Sequence, residues 1–215
     1  MDLINKHNVL ILSPHTDDAE LGAGGTIIRL INQGCNIRWL VFSSAEESVP
    51  KGFKKDSLKN EFLNVTRELG LEKKQFEVFN FKVRYLHEKR QDLLELLVKE
   101  KVNFNPDLVI GPSQNDLHQD HQIVSNEMIR AFKNNASIVT YELPWNQLNF
   151  NNRYYVKLNE EIIDKKISLL KNYETQIALD RKYFSEDMIK GLARIRGAQS
   201  NTVYAEAFEL IKWIA

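Results

Sequence analysis

The sequence predicts an α/β protein with a Rossmann-like, mainly parallel sheet and helices on both faces. Short apolar or β-branched runs alternate with helical patterns over the first two-thirds of the 215 residues. Such alternation is typical of parallel strands covered by their connecting helices. The apolar fraction of 43% and charged fraction of 27% are ordinary for a globular domain. Because crossovers are right-handed, few strand orders remain, and we expect the first strand to lie beside the fourth.

Five predicted strands and four predicted helices make up this alternating region. The strands are apolar or β-branched runs at residues 9–12, 37–42, 76–79, 108–110 and 138–141. The helices carry apolar residues at helical spacing, at residues 27–31, 58–69, 88–101 and 121–132. Gly70 follows the second helix, where glycine commonly ends a helix.

The last third of the sequence has a different pattern. Residues 154–158 favour an extra strand, residues 160–173 and 186–195 favour helices, and residues 205–211 are ambiguous. The sequence contains no repeat, low-complexity segment or Pro/Gly/Ser-rich linker. We therefore expect one domain over residues 1–215, with a C-terminal elaboration.

Composition excludes several classes of protein. The 29 basic and 29 acidic residues give zero net charge, which does not fit a nucleic-acid binder. The only cysteine, Cys35, excludes an intrachain disulfide and a Cys-rich zinc site, and we interpret it as a small buried hydrophobe rather than a catalytic thiol. Residues 1–8 lack the apolar core of a signal peptide, and no stretch reaches the roughly 18 apolar residues of a membrane span. The expected location is the cytoplasm.

Two polar segments follow the first and fourth strands. Residues 13–26 and 115–121 both lie at carboxyl ends of predicted parallel strands, where open α/β sheets bind their ligands. If those strands are neighbours, the segments face one crevice. Imidazole and carboxylate suit a catalytic zinc ion with three protein ligands and a water, and His15, Asp18 and His121 can supply them.

The remaining polar side chains of the two segments suit acid–base chemistry. Zinc makes a bound water acidic near neutral pH, and Asp17, next to a ligand, can accept its proton. His118 can donate to a developing oxyanion or to a leaving nitrogen. Asp120 can orient His118 or His121 from behind.

Simpler interpretations of these residues exist. Thr16, Asp17 and Asp18 can each cap the following helix, and the two histidines at 118 and 121 can form a solvated face. However, three of the five histidines fall at one predicted sheet edge, which disfavours coincidence. His7 and His87 have no comparable neighbours, and we interpret both as surface residues.

The glycines of the first segment raise the alternative of dinucleotide binding. Gly22 and Gly24 begin a G-x-G-x-x-G pattern, but Ile27 occupies its last position. The second strand also lacks a following acidic residue for a ribose. We expect these glycines, with Gly25, to let the first helix pack close to the sheet.

The two segments carry a family resemblance. Residues 14–26 match the pattern P-H-x-D-D-x-E-x-G-x-G-G-T, and residues 118–121 match H-x-D-H. In these motifs the sequence resembles the LmbE-like, or PIG-L-like, zinc-dependent N-acetylglucosamine deacetylases. Residues 59–70 resemble the family's R-x-E helix, with Lys59 where arginine is usual, and residues 173–176 resemble its Y-x-S-Q segment. Residues 196–197 and 204–208 resemble the C-terminal part of one subgroup.

The resemblance implies a metal-dependent N-deacetylase with one zinc ion per chain. It implies His15, Asp18 and His121 as ligands, Asp17 as general base, and His118 as oxyanion stabiliser or acid. The implied substrate is a small N-acetylated sugar conjugate. Its aglycone stays open, because Lys59 replaces the arginine that usually contacts the substrate. The resemblance also implies a homotrimer or homohexamer. Candidate substrate contacts, each of which could instead be a surface or ion-pair residue, are Lys59, Arg84, Glu142, Trp145, Asn146 and Arg196. We expect residues 141–150 to border the crevice.

Other functions stay open at this point. A zinc hydrolase acting on a different amide or ester would use the same residues, and iron or cobalt could replace zinc. A non-catalytic metal- or sugar-binding protein would need only the ligands, so an intact Asp17 speaks against it. A nucleotide-binding oxidoreductase is disfavoured by the glycine spacing.

Overall fold

A computed structural model describes residues 6–214. The strands in that part of the chain are β1 (Asn8–Ser13), β2 (Asn36–Val41), β3 (Phe76–Val78), β4 (Leu108–Pro112), β5 (Ser137–Tyr141), β6 (Tyr154–Leu158) and β7 (Tyr204–Lys212). The α-helices there are α1 (Asp18–Asn32), α2 (Ser57–Glu68), α3 (Arg90–Asn103), α4 (Gln119–Phe132), α5 (Glu160–Leu170), α6 (Glu174–Ala178) and α7 (Glu186–Gln199). Each predicted strand and helix overlaps one of these elements.

The strands form one sheet in the order β3, β2, β1, β4, β5, β7, β6. The pairs from β3 to β5 are parallel, whereas β7 runs antiparallel to both β5 and β6. The predicted α/β fold and the adjacency of β1 and β4 are confirmed. The loops after these two strands therefore leave the sheet side by side.

Helices cover both faces of the sheet because successive strand residues point in opposite directions. Val9 and Ile11 of β1 belong to one buried cluster, together with apolar residues of α1, α2 and α5. Leu10 and Leu12 belong to a second cluster, formed with α3 and α4. The site at the strand ends thus rests on a sheet that is packed on both sides.

The predicted helix at residues 27–31 covers only the second half of α1, which begins at Asp18. The first half was missed because it is rich in glycine. A Cβ atom on Gly22 would lie 2.6 Å from Cδ2 of Tyr141, and one on Gly25 would lie 2.5 Å from Cδ1 of Leu158. A Cβ on Gly22 would overlap the root of the Tyr141 ring, and one on Gly25 would require the Leu158 side chain to move. The glycines therefore bring α1 against the sheet, which is the role expected of them.

Strand β7 resolves the ambiguous segment near the C-terminal end. It carries two buried glutamates, each of which has hydrogen-bond donors around it. Glu206 accepts from the backbone N–H of Gly25 (2.8 Å) and from Nζ of Lys166 (2.7 Å). Glu209 accepts from Oγ1 of Thr140 at 3.0 Å. The C-terminal elaboration thereby completes the main sheet and helps to hold α1.

Residues outside the polar segments behave as ordinary structural residues. Cys35 is partly buried against the core, its thiol donates to the carbonyl of Lys6 at 3.2 Å, and burial raises its pKa. His7 and His87 are exposed, as predicted. Within residues 6–214, no helix is both long and apolar enough to cross a membrane.

Candidate metal centre and active site

The two polar segments meet at the carboxyl ends of β1 and β4. His15 and Asp17 lie in the loop after β1, and Asp18 is the first residue of α1. His118 lies just before α4, whose first turn contains His121. Since β1 and β4 are adjacent, these five side chains converge although about a hundred residues separate the two segments.

Three of these side chains form a nearly equilateral triangle of donor atoms. Nδ1 of His15 lies 3.3 Å from Nε2 of His121. Oδ2 of Asp18 lies 3.2 Å from each of those two nitrogens. Ligand bonds of about 2.0–2.1 Å in a tetrahedron place neighbouring donor atoms about 3.3–3.4 Å apart. All three side chains are buried, so the triangle could hold a small metal ion without rearrangement.

Two buried carboxylates orient the histidine rings from behind. Oδ2 of Asp116 lies 2.7 Å from Nδ1 of His121, and Oδ2 of Asp120 lies 3.1 Å from Nε2 of His15. Each ring therefore turns its other nitrogen towards the triangle, as histidine ligands of metals do. From the sequence we expected Asp120 to orient His118 or His121, but its carboxylate contacts His15 instead.

Asp120 is itself fixed by backbone donors. Its Oδ2 accepts from the N–H of Arg84 at 2.5 Å, and its Oδ1 accepts from the N–H of Leu86 at 3.2 Å. The φ of Arg84 is +70°, in the left-handed region that non-glycine residues seldom adopt. The loop before α3 therefore helps to hold His15 through Asp120.

Asp17 occupies the N-cap position of α1, but within the described chain its side chain makes no capping hydrogen bond. It is half-buried and lines a cavity beside the triangle. Burial and the negative charge of Asp18 raise its pKa to about 7. A carboxylate with that pKa can exchange a proton near neutrality, which is a property of general bases.

His118 is placed as a hydrogen-bond donor. Its Nδ1 accepts from the backbone N–H of Asp120 at 3.2 Å, so the proton of the neutral ring lies on Nε2. Burial and the nearby rings of His15 and His121 lower its pKa to about 4, which keeps it neutral. The ring lines the cavity, so it does not belong to a solvated helix face.

The two triangle histidines lie in a strongly acidic environment. Burial by itself lowers the pKa of His15, but hydrogen bonds to Asp120 and Asp18 outweigh it and raise the pKa to about 9. Burial is likewise outweighed at His121, where the charge of Asp18 and the hydrogen bond to Asp116 raise the pKa to about 10. The surrounding carboxylates thus favour positive charge at the triangle, which a divalent cation would supply.

A cavity of about 370 Å³ opens beside the triangle. Trp145 and Asn146, from the loop after β5, line it, and the Trp145 ring stacks on Tyr183 with centroids 4.3 Å apart. The cavity residues beyond the two motifs are Ala45, Ser48, Leu58, Val83, Trp145, Asn146, Gln176, Arg181 and Tyr183.

The six predicted substrate contacts fall into three groups. Trp145 and Asn146 line the cavity. Glu142 and Arg196 form a two-contact ion pair, one of whose hydrogen bonds is 2.8 Å long, and they border a narrower adjoining crevice. Half-buried Lys59 on α2 and exposed Arg84 lie outside the lining formed by the described residues, although Nη2 of Arg84 is 3.4 Å from Oγ of Ser48.

Several residues of the site were not singled out from the sequence. Asp116 lies in the polar segment 115–121, and Gln176 lies in residues 173–176, which resemble a family motif, but neither residue was assigned a role. Arg181 and Tyr183 lie in the loop after α6, where no motif marks them. Only the tertiary fold brings that loop to the cavity.

The fold and the site together define an α/β protein with a histidine–carboxylate centre at its topological switch point. Residues 10–132, more than half of the chain, match the family described as PIG-L, GlcNAc-PI de-N-acetylase. The chain therefore belongs to the PIG-L family, which makes N-deacetylase its enzyme class. A search of curated protein sequences finds no significant match.

Solved structures with the same fold include enzymes of two kinds. N,N'-diacetylchitobiose deacetylase from Pyrococcus horikoshii has a TM-score of 0.78 and 19% identity, covering 97% of this chain and 85% of that one. Conserved protein TT1542 from Thermus thermophilus has a TM-score of 0.78 and 24% identity, and the match covers 97% of this chain and 96% of that one. GalB, the 4-carboxy-2-hydroxymuconate hydratase of Pseudomonas putida, has a TM-score of 0.79 and 18% identity, and the match covers 97% of this chain and 98% of that one. Since a hydratase shares the fold, the fold by itself does not define the reaction.

Proposed function

We propose that this protein is a zinc-dependent hydrolase that removes the acetyl group from an N-acetylglucosamine-type sugar conjugate. The observation that carries the proposal is the donor triangle of His15, Asp18 and His121, with the uncommitted carboxylate of Asp17 beside it. Family membership supports de-N-acetylation as the reaction.

The donor chemistry fits one zinc ion. Two imidazole nitrogens and one carboxylate oxygen form a common ligand set for catalytic zinc, and the orienting carboxylates of Asp116 and Asp120 add the usual outer contacts. Nitrogens of His15, His118 and His121 also lie within 4.8 Å of one another. We prefer Asp18 to His118 as third ligand, because Oδ2 of Asp18 lies 3.2 Å from a nitrogen of each triangle histidine and Nδ1 of His118 already accepts a hydrogen bond. When bound, zinc supplies Lewis acidity that polarises a carbonyl and acidifies water.

The two adjacent aspartates are suited to different tasks. Oδ2 of Asp18 contacts both triangle histidines and also accepts from the backbone N–H of His15 at 2.8 Å. Asp17 has no such commitments and faces the cavity. We assign to Asp17 the removal of a proton from the attacking water, and its delivery to the nitrogen as the C–N bond breaks.

His118 is suited to stabilising negative charge on the acetyl oxygen. The ring is neutral and carries its proton on Nε2, while Nδ1 is held by the backbone of Asp120. A donor fixed before the reaction stabilises a developing oxyanion more than a mobile one does. The products are then acetate and a free amine.

The cavity suits a sugar ring. Its volume of about 370 Å³ lies within the range of small-molecule sites. The stacked Trp145 and Tyr183 add aromatic surface, while Asn146 and Gln176 offer amide groups. Glu142 and Arg196 border the adjoining crevice, and a substrate role for them, for Lys59 and for Arg84 stays a prediction. The cytoplasmic location and the trimer or hexamer also stay predictions.

An acetate-release assay tests the proposal. Purified protein, stripped of metal and then reloaded with zinc, is incubated with a panel of N-acetylglucosamine conjugates. Matched N-acetylated amines without a sugar and O-acetyl esters serve as alternative substrates. We expect zinc-dependent acetate release from at least one sugar conjugate and its loss in Asp17→Asn. Release from the esters or non-sugar amides alone would indicate a different hydrolase. Binding of the conjugates without any release would indicate a non-catalytic protein.

A further inference from the structure

The active-site cavity contains a single basic side chain of the arginine or lysine type among its described lining residues, Arg181. It lies in the loop between α6 and α7, next to Asp180, whose φ is +52°. The two acidic lining residues, Asp17 and Asp18, lie at the metal centre beside His15 and His121. Arg181 is therefore the one arginine or lysine in the described lining, and it does not belong to the metal centre.

The guanidinium group of Arg181 has no hydrogen bond or ion pair with any residue between 6 and 214. Its neighbour Asp180, the nearest carboxylate in sequence, pairs with Lys182 at 2.5 Å instead. Arg196, by contrast, is held by Glu142. An exposed arginine facing a cavity without a partner is available to a ligand.

Tyr183 and Gln176 line the same cavity as Arg181 and the metal-centre residues. Burial and the charge of Asp17 raise the pKa of Tyr183 to about 12, and the charge of Arg181 opposes this shift. The Tyr183 phenol therefore lies within electrostatic reach of both. Gln176 also lines the cavity; it is 7% exposed, and its Nε2 has only a long contact of 3.4 Å to Oγ1 of Thr175. A buried amide so weakly engaged can bind a polar ligand group.

We propose that Arg181 binds an anionic group, a carboxylate or a phosphate, on the part of the substrate beyond the N-acetylated sugar. The inference rests on the proposed function and narrows its substrate class to acidic conjugates. The planar guanidinium can form two parallel charge-assisted hydrogen bonds to either anion.

Three glycosides of N-acetylglucosamine test this assignment: the neutral methyl glycoside, the carboxymethyl glycoside and the 1-phosphate. We expect the zinc-loaded protein to prefer at least one anionic substrate over the methyl glycoside by about tenfold in kcat/KM, since Arg181 is exposed and its charge is screened. The anionic substrate with the larger kcat/KM relative to the methyl glycoside shows whether the bound group is a carboxylate or a phosphate. Arg181→Gln should abolish the preference, and Arg181→Lys should keep part of it. Lys182→Gln, which changes a neighbouring cation outside the cavity lining, should keep all of it.

Binding is measured beside turnover, so that failure of the proposed function can be distinguished. The same three glycosides of glucosamine, which are the deacetylated products, are titrated calorimetrically into zinc-loaded wild-type and variant proteins. If no substrate releases acetate, the proposed function fails. The ratio of the affinity for an anionic product to that for the neutral methyl product then decides by itself whether Arg181 binds an anion. An anionic preference that is lost in Arg181→Gln supports the inference. Absence of that preference in the wild-type protein, or its survival in Arg181→Gln, overturns it.

Discussion

Nδ1 of His15 lies 3.3 Å from Nε2 of His121, although the two residues are 106 positions apart in the sequence. The contact exists because β1 and β4 are hydrogen-bonded neighbours whose following loops carry the two histidines. Asp18 completes the triangle from the start of α1. The candidate metal centre therefore forms only when the central strand pair has formed, and metal binding should be coupled to folding.

The orienting carboxylates should control zinc affinity without touching the ion. Asp116→Asn and Asp120→Asn each weaken the hold on a histidine ring, so we expect zinc affinity to fall by roughly 10–100-fold. Asp92→Asn is the matched control, because Asp92 lies on the surface in an exposed ion pair with Lys89. Competition with a chromophoric chelator measures the change. Unchanged affinity in the Asp116 and Asp120 variants would show that the two contacts do not position the ligands.

Zinc binding should release protons and weaken as the pH falls. In the ion-free protein, hydrogen bonds and charges from nearby aspartates outweigh burial and raise the pKa of His15 to about 9 and that of His121 to about 10. Both histidines therefore tend to be protonated at pH 7, whereas a metal ligand must be neutral. Each displaced proton makes the affinity fall by about tenfold per pH unit below these pKa values.

Calorimetric titration with zinc, in buffers that differ in ionisation enthalpy, counts the released protons. We expect between one and two protons at neutral pH. A binding enthalpy that does not depend on the buffer would mean that no proton is released, and the acidic environment would then not raise the two pKa values.

The close approach of α1 to the sheet should make Gly22 intolerant of substitution. In Gly22→Ala the added Cβ meets the Tyr141 ring, whose hydroxyl donates to the carbonyl of Leu12 at 3.2 Å. We expect a loss of about 1–3 kcal/mol in the free energy of unfolding. Gly191→Ala in α7 is the control, since its Cβ would meet nothing within 4 Å and helix propensity favours alanine. Urea unfolding of the metal-free proteins compares the two, and equal stabilities would contradict the packing role of Gly22.

The order of the central strands could be predicted from the sequence, because the two polar motifs make sense only if β1 and β4 are adjacent. Strand β7 could not be assigned, since Glu206 and Glu209 interrupt its apolar pattern although both are buried. Their donors, such as Lys166 and Thr140, come from distant segments. The predicted helix at residues 160–173 runs past the end of α5 at Leu170, and the short helix α6 was not predicted.

The residues of the candidate metal centre could be identified in the sequence because their types and spacing are unusual, and the structure brings them together. The partner of Asp120 was not visible: its neighbours in sequence are His118 and His121, but its carboxylate reaches His15 across the strand pair. Arg181 and Tyr183 carry no local signal, because a loop approaches the cavity only through the packing of α5 to α7. Sequence patterns report local chemistry, whereas such contacts depend on the completed fold.

The central claim is that Asp18 holds zinc and that Asp17 accepts the proton of the attacking water. Asp18→Ala removes a donor of the triangle, so both bound zinc and activity should be lost. Asp17→Asn keeps the shape of the side chain but removes the proton acceptor. The decisive measurement is therefore zinc per chain, determined by elemental analysis, beside kcat for Asp17→Asn. We expect zinc content equal to the wild type and a kcat reduced by roughly 10²–10⁴. Near-normal kcat would contradict the role of Asp17, and loss of zinc would mean that the two aspartates have the opposite roles.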